Sequence, residues 1–487
     1  MTRNQLCEFL GCSEPPGPPF EVTSVTEDSR RVVPGALFVA IRGEHADGHD
    51  HAAQAVTAGA VVIAGARRGT QQMAGVPYLA IEEPRRLAGR LAHALAGYPS
   101  RAMTVVGITG TNGKSSTAFL TQAVLRHAGH ACANFGTLGY EIAGHCLPAA
   151  HTTPFAEELA HIFKKANDAG LSHVVMEVSS HALEQQRVAG IEFDVAAFTN
   201  LTQDHLDYHH DMDNYRQAKL QLFHELTGAG RFTVVNADDP SAQAFIAASK
   251  VPCHSFGRAG QCRALRIRTS MGSTQFHLLT PWGEAEVALK LLGRHNTSNA
   301  LCAAAICGGM GMPVDRIAEG LAALQSVPGR FEPVDAGQDF FVIVDYAHTA
   351  DGLRNVLQAA RELTKGRVIT VFGCGGDRDK GKRPKMGAVA AKLSDFAILT
   401  SDNPRTEDPH RIILDVEVGL QRAGKRKKDD YLVIERRQDA IRQAISMARP
   451  ADLVMIAGKG HEDYQILGTN RIHFDDREVA RAALGGH

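Results

Sequence analysis

The 487-residue sequence lacks an excess of either charge: 52 Lys and Arg stand against 53 Asp and Glu, a formal net charge of −1. A global field that draws nucleic acid or an anionic membrane is therefore excluded. Any apolar run near the roughly 18 residues that span a bilayer is also missing. The start, MTRNQLCEFLGCSEP, lacks the basic-then-apolar order of an export signal. Nine cysteines are scattered without a C-x-x-C pair, which argues against a disulfide framework or a zinc ribbon and for a reducing compartment. What remains is ordinary globular composition, 44% hydrophobic and 22% charged, which excludes a disordered or collagen-like chain. A cytoplasmic, multidomain α/β protein is expected. At roughly 150 residues per domain the length predicts about three domains.

Hydrophobic patterning places them. Short apolar runs at 35–41, 60–65 and 78–81 lead to a helical stretch from Arg85 to Ala96, with Leu87, Leu91 and Leu95 four residues apart. Tyr98-Pro99-Ser100 breaks the pattern. A second stretch opens with the buried-strand run TVVGIT (104–109), a Gly-rich loop and a helix that ends by Gly129. Strand-like runs recur at 173–178, 193–199 and 231–236, the alternation of a doubly wound, mostly parallel sheet. Residues 262–292 alternate polar and apolar and predict an antiparallel extension. After Pro328-Gly329 a fresh alternation begins at 340–346, 367–373, 396–400 and 452–458. The expected fold class is thus α/β, with domains at 1–99, 100–332 and 333–487.

The loop GITGTNGKSST (107–117) fails the strict Walker pattern, which needs glycine where Ile108 stands. Physically the device is the same. A buried strand runs into Gly110 and Gly113, which let the backbone aim several N–H groups at one anion, and a helix N-terminus adds partial positive charge. Lys114 has the reach for terminal phosphates, and the Ser115 hydroxyl suits Mg²⁺.

G-T-N-G-K-S after a strand resembles the Mur ligase family, ATP-dependent amide-bond-forming enzymes of peptidoglycan precursor synthesis that also include folylpolyglutamate synthetases. The resemblance covers nearly the whole chain. It implies a UDP-substrate domain (1–99), a central P-loop-type ATP-binding domain (100–332) and a Rossmann-like amino-acid-binding domain (333–487). Such a ligase uses ATP to turn a carboxylate into an acyl phosphate, which an amine then attacks. Mg²⁺ and lysine offset the meeting of two anions.

The resemblance assigns roles by position. Gly110, Thr111, Asn112, Gly113, Lys114, Ser115 and Ser116 would cradle the ATP phosphates. Asn296, in LLGRHNTSNA, would lie beside adenine and cap the following helix. Arg330 of PGRFE, with Asp345 and His348 of VDYAHT, would reach the nucleotide from across a cleft that closure completes. Ala350 stands where relatives often carry proline. Catalysis would rest on Lys114, Glu177, His205 and Lys219, with Ser115, Glu177, His205 and Lys219 as metal ligands. Glu177 ends the run VVMEV, where crevices open in such sheets. His205 lies in NLTQDHLDYHHD, whose Asp204, His205, Asp207, His209, His210 and Asp211 taken alone also suggest zinc, though cysteines and zinc spacing are missing. Lys219, in YRQAK, reads from sequence alone as an ordinary helix lysine; in the family it is carbamylated.

SDNPRTEDP (401–409) resembles the signature of the branch that adds meso-diaminopimelate, and AGKGHEDYQ (457–465) is characteristic of that branch. Diaminopimelate is lysine with an extra carboxylate at its far end, and a guanidinium meets that group in a two-bond fork worth about 1.5–3 kcal/mol. Arg405 would provide it, with Arg378, Asp402, Asn403, Pro404, Gly458 and Glu462 as further contacts. GCGGDRDKGKRPKMG (373–387) reads as a loop gripping small anions; a nucleic-acid patch is disfavoured because no aromatics interleave. For the UDP-linked acceptor, Ser29 and the turn Glu44-His45-Ala46 match the uridine site. Thr152, Thr153, Ser179, Gln185 and Arg187 match the phosphate and sugar-peptide contacts, with His151 where relatives commonly have Asn. The expected activity is ATP-dependent addition of meso-diaminopimelate to a UDP-N-acetylmuramoyl-dipeptide by a monomer that binds only small molecules. A lysine-adding or folate-type ligase, and a nucleotide-gated binding protein without catalysis, are the competing expectations.

Overall fold

The computed structural model describes residues 1–11, 19–43, 46–270 and 272–485. The chain divides into two compact units, residues 1–107 with 130–195, and residues 108–129 with 196–487.

The first unit holds a five-stranded sheet in the spatial order Ser24–Thr26, Ala36–Ala40, Ala60–Gly65, Val76–Ala80, Gln72–Met73. All pairs are parallel except the last. Every residue of ALFVA (36–40) is buried, because helices and loops cover both faces of an inner parallel strand. Helix Pro84–Leu95 starts on a proline at its first position and buries Leu87 and Leu91. The same unit pairs Cys132–Gly136 in parallel with His173–Glu177. Gly139–Ile142 and His145–Leu147 extend that sheet antiparallel.

The second unit contains helix Lys114–His127, followed by Ala128 and then Gly129 at φ +88°. Phe232–Asn236 and Cys253–Phe256 pair in parallel. The expected antiparallel extension is three strands, Arg263–Thr269, Thr274–Thr280 and Gly283–Leu289. Thr274–Thr280 buries every second side chain, as a one-sided sheet requires. Helix Arg294–Gly309 is buried along most of its length; its small residues let Trp282 lie on Gly308, where a Cβ would come 2.3 Å from the indole.

A six-stranded sheet completes this unit, in the order Glu332–Pro333, Phe341–Asp345, Leu453–Ala457, Val368–Phe372, Phe396–Leu399, Tyr431–Val433. Only the first pairing is antiparallel. Helices Ala350–Leu363, Lys382–Leu393 and Pro409–Arg422 cover one face. Arg437–Met447 and Asp476–Leu484 cover the other. The helices after Phe341–Asp345, Val368–Phe372 and Phe396–Leu399 lie on one face and those after Tyr431–Val433 and Leu453–Ala457 on the other, and in such sheets ligand crevices form at the carboxyl ends where the face changes. The α/β class read from the alternation is therefore the observed one. Among the described residues no helix is long and apolar enough to cross a membrane.

Two local expectations need correcting. Asn296 does not cap the helix that follows it: Gly293, at φ +93°, occupies the N-cap, so the helix begins three residues earlier and Asn296 is its third residue. Its Nδ2 donates back to the Leu292 carbonyl at 2.9 Å, the reverse of a capping acceptor. Residues 382–387 of the expected anion loop form the first turns of helix Lys382–Leu393.

Candidate active site

Strand Thr104–Thr109 ends in the loop Gly110–Gly113, which enters helix Lys114–His127. Gly110 (φ +145°) and Gly113 (φ +85°) adopt conformations that side chains resist. Space forbids a side chain as well: a Cβ would lie 1.9 Å from Thr199 Oγ1 at Gly110 and 2.4 Å from Asn299 Oδ1 at Gly113. Asn299 in turn donates to Asn296 Oδ1 at 3.0 Å, which brings Asn296 to the loop's edge. Thr111 bonds the Thr202 carbonyl and the Tyr215 hydroxyl. Asn112 is held by Asn200 and Asp351. Ser115 and Ser116 are both buried.

Two lysines converge here. Lys114 Nζ donates to the carbonyls of Gly110 and Thr111, each at 2.9 Å. Lys219 Nζ, 1% exposed, donates to the same Gly110 carbonyl at 3.0 Å. It lies 4.5 Å from the Tyr215 ring centre. Burial, reinforced by the Lys114 charge, holds the Lys219 ammonium well below the usual lysine range. Arg330 Nη2 donates to Ser115 Oγ at 2.9 Å, and its guanidinium covers the Tyr346 ring at 4.4 Å.

Asp204 is the anionic centre of the adjoining loop. It lies 3.3 Å from His205 Nε2, 3.5 Å from His348 Nε2 and 3.6 Å from Lys382 Nζ. Burial opposes its ionisation, but these cations and a His348 hydrogen bond hold it well below the carboxylate range. Asp345, the last residue of its strand, accepts from the Phe331 and Ala347 amides. Burial nevertheless pushes it up to about 6, against the pull of Arg330 and these amides.

At the carboxyl ends of the six-stranded sheet, Asp402, Asn403, Pro404 and Arg405 meet Gly458 and Glu462. Arg405 (φ +52°) donates through Nη1 to the Gly376 carbonyl at 2.8 Å. Its amide donates to the Ile466 carbonyl. The Pro404 carbonyl lies 1.9 Å from where a Cβ on Gly376 would be. Asn403 Nδ2 donates to Glu462 Oε2 at 2.9 Å. Gly458 (φ +123°) leaves room for Asp402 Oδ2, 2.7 Å from the Cβ it lacks. Arg378 donates to the neighbouring Asp377 carbonyl.

The first unit gathers a second set. Glu177, 2% exposed, ends its strand over Gly136, where a Cβ would be 2.2 Å from Oε1. It accepts from the Thr137 amide at 2.9 Å and the Thr137 hydroxyl at 3.2 Å. Thr137 Oγ1 also bonds Thr152, and Thr153 Oγ1 donates to the Glu177 carbonyl. The Ser179 amide donates to Thr153 Oγ1, while its own hydroxyl caps helix Ser180–Glu184. Arg187 donates twice to Gln185 Oε1, once to the Thr153 carbonyl, and stacks on Phe155 at 4.2 Å. Ser29 opens on a cavity of about 580 Å³ lined also by Glu27, Phe38, Gln54 and Phe155. Its hydroxyl donates to Gln54. Ala46 accepts from the Gly43 amide. Glu44 and His45 lie outside the described residues.

Sequence reasoning missed Thr137, Lys382 and Lys459. Thr137 follows a glycine at a strand end, a weak signal. Lys459 sits inside GKGHE and is wholly buried, with Nζ 2.8 Å from Glu462. Among the described residues no three His, Cys, Asp or Glu gather as a metal cage, so the zinc reading of residues 204–211 has no geometric support.

Three family models match: "Mur ligase family, catalytic domain" over residues 21–95, "Mur ligase middle domain" over 108–307, and "Mur ligase, glutamate ligase domain" over 329–460. A protein of Syntrophomonas wolfei named UDP-N-acetylmuramoyl-L-alanyl-D-glutamate–2,6-diaminopimelate ligase is 45% identical over 96% of this chain and 95% of its own. One of the same name from Geobacillus kaustophilus is 45% identical over 95% of each. A solved structure of a ligase so named superposes with a TM-score of 0.66 at 30% identity, covering 96% of this chain and 95% of that one. By these matches across nearly its whole length, the chain belongs to the Mur ligase family.

Proposed function

We propose that this protein is an ATP-dependent ligase that joins meso-2,6-diaminopimelate to UDP-N-acetylmuramoyl-L-alanyl-D-glutamate, a step of peptidoglycan precursor synthesis. The observation that carries the reading is the convergence of Lys114 and Lys219 on the Gly110 carbonyl at a helix N-terminus. The Lys114 ammonium beside the glycine turn and the N-terminus of helix Lys114–His127 makes a site for a polyphosphate. The full-length similarity to ligases of that name supports the substrate pair.

The chemistry assigns each group a task. The acceptor's free carboxylate attacks the γ-phosphorus, ADP leaves, and an acyl phosphate forms. The amine of diaminopimelate then attacks the acyl carbon, loses a proton and expels phosphate. Lys114, the loop amides of Gly110–Gly113, Ser115 and Ser116 offset the phosphate charge. Asn296, Arg330, Asp345 and His348 hold the rest of the nucleotide. Ser29 and Ala46 are assigned to the uridine portion, and Thr152, Thr153, Ser179, Gln185 and Arg187 to the remainder of the acceptor. Glu44 and His45 are assigned with Ser29 from sequence alone.

Ser115, Glu177 and His205 are hard-oxygen and imidazole donors of the kind that suits Mg²⁺, an ion that keeps several waters besides its protein ligands. When bound, Mg²⁺ would neutralise charge on the transferring phosphoryl group. Lys219 as an ammonium cannot ligate a cation, yet its burial favours the neutral amine, the form that combines with CO₂ and releases a proton to give a carbamate. Arg405 would meet the far carboxylate of diaminopimelate; Arg378, Asp402, Asn403, Pro404, Gly458 and Glu462 complete the pocket. Nine cysteines scattered along the sequence without a C-x-x-C pair support a cytoplasmic location.

The test measures phosphate release from ATP with the UDP-linked dipeptide and diaminopimelate, L-lysine or no amino acid. Release that depends on diaminopimelate and yields the tripeptide product is expected. Equal turnover with lysine, or none with either, rejects the proposal.

A further inference from the structure

The pocket assigned above to the amino acid contains a cation that its sequence motif does not explain. Lys459 is 0% exposed, with Nζ 2.8 Å from Glu462 Oε2, 3.8 Å from Asp402 Oδ1 and 3.4 Å from Asn403 Oδ1. The Tyr464 ring lies 5.3 Å from Nζ. Burying an ammonium is costly unless carboxylates face it, and here two do. Arg405 stands at the same pocket, and its guanidinium is bonded on one side to the Gly376 carbonyl. Behind Gly458, Arg437 is matched by Asp476 through two 2.7 Å contacts, so that pair adds no net charge. Two buried carboxylates, Asp402 and Glu462, are thus balanced by two cations, Lys459 and Arg405; Arg378, also assigned to this pocket, is exposed to solvent beside the exposed Asp377 and stands outside this buried balance.

Resting on the proposed amino-acid site, we infer that Lys459 is a specificity-determining residue that keeps this pocket electrically neutral, and so selects a substrate end carrying both an ammonium and a carboxylate over one carrying an ammonium alone. The far end of diaminopimelate has no net charge. The far end of lysine is a cation. Without Lys459 the pocket would keep two carboxylates against one guanidinium and hold an excess negative charge in a buried place, where such charge attracts a lone ammonium strongly. Arg405 supplies attraction for the extra carboxylate. Lys459 removes the reward for binding lysine, the repulsive half of the discrimination. Asn403 Nδ2 donates to the same Glu462 Oε2 that Lys459 meets, which restrains the carboxylate when an ammonium enters.

The experiment compares kcat/KM for meso-diaminopimelate and L-lysine by phosphate release, in wild type, Lys459→Gln and the double variant Lys459→Gln with Glu462→Gln. The lysine-to-diaminopimelate ratio is expected to rise at least tenfold in Lys459→Gln and to return toward the wild-type value in the double variant, which restores neutrality although both rates fall. An unchanged or lower ratio in Lys459→Gln, or a double variant as permissive as the single, overturns the inference. If Lys459→Gln does not fold, the double variant, which leaves no uncompensated carboxylate, decides: it should keep the preference for diaminopimelate, and loss of that preference overturns the inference. Wild-type enzyme that fails to use diaminopimelate faults the functional reading instead, before any variant is compared.

Discussion

Removing either partner of the Arg437–Asp476 pair should destabilise the protein far more than removing both. Both side chains are 0% exposed. Arg437 Nε and Nη2 each donate to a separate Asp476 oxygen at 2.7 Å, and Nη2 also donates to the Ala457 carbonyl at 3.0 Å. Arg437→Met strands a buried carboxylate, a change that typically costs about 3–5 kcal/mol. Replacing the pair by Met and Leu removes the stranded charge together with the favourable contact, so the double variant should lie within about 1 kcal/mol of wild type. Urea denaturation of wild type, both single variants and the double gives the coupling energy, expected at about 3 kcal/mol or more. Since Ala457 precedes Gly458 at the proposed amino-acid pocket, the single variants should also raise KM for diaminopimelate more than they lower kcat. Single variants that each cost under about 1 kcal/mol, or costs that simply add, would refute the reasoning.

Three further outcomes are expected. His93 is wholly buried, neither ring nitrogen has a partner among the described residues, and burial pushes it down to about 4; the unfolded chain takes up a proton that the folded one refuses, so this stability is present above pH 6.5 and lost as pH falls from there toward 4. His93→Leu should flatten that acid limb and add about 1–2 kcal/mol at pH 7, by thermal unfolding across pH. Glu27 behaves oppositely: burial raises it to about 7, against Arg85 and Arg187, so the folded state holds a proton the unfolded state has released; that contribution is full below pH 4.5 and is lost as pH rises to about 7. Glu27→Gln should therefore stabilise the protein at pH 8 by roughly 2 kcal/mol and leave pH 4 nearly unchanged, and equal effects at both would count against it. Intact-protein mass spectrometry in bicarbonate should find a CO₂ adduct that Lys219→Arg abolishes, with phosphate release falling at least a hundredfold; full activity without the adduct would remove the carbamate from the mechanism.

Local rules made much of this protein readable. Strand runs such as 104–109 and 453–457 are mostly apolar because parallel inner strands are buried on both faces. The GTNGK turn was legible because a strand-to-helix turn this tight needs glycine where φ is positive, and Gly110 and Gly113 have that geometry. Glu177 was legible because strand ends in wound sheets face crevices. Asn296 misled because asparagine is a good N-cap in general, whereas here a glycine three residues earlier caps the helix.

Spacing along the chain could not reveal partners that distant segments bring together. Asp204 is answered by His348 and Lys382, 144 and 178 positions away. Arg437 reaches 39 residues to Asp476, and Asn403 reaches 59 to Glu462. From its own neighbourhood Lys459 is one lysine between two glycines. The sequence by itself determined the α/β alternation, the phosphate loop and the motif residues, because backbone conformation and burial pattern depend on near neighbours. Tertiary structure alone decided which buried charge answers which, since a charge withdrawn from water is tolerated only where the completed fold delivers its opposite.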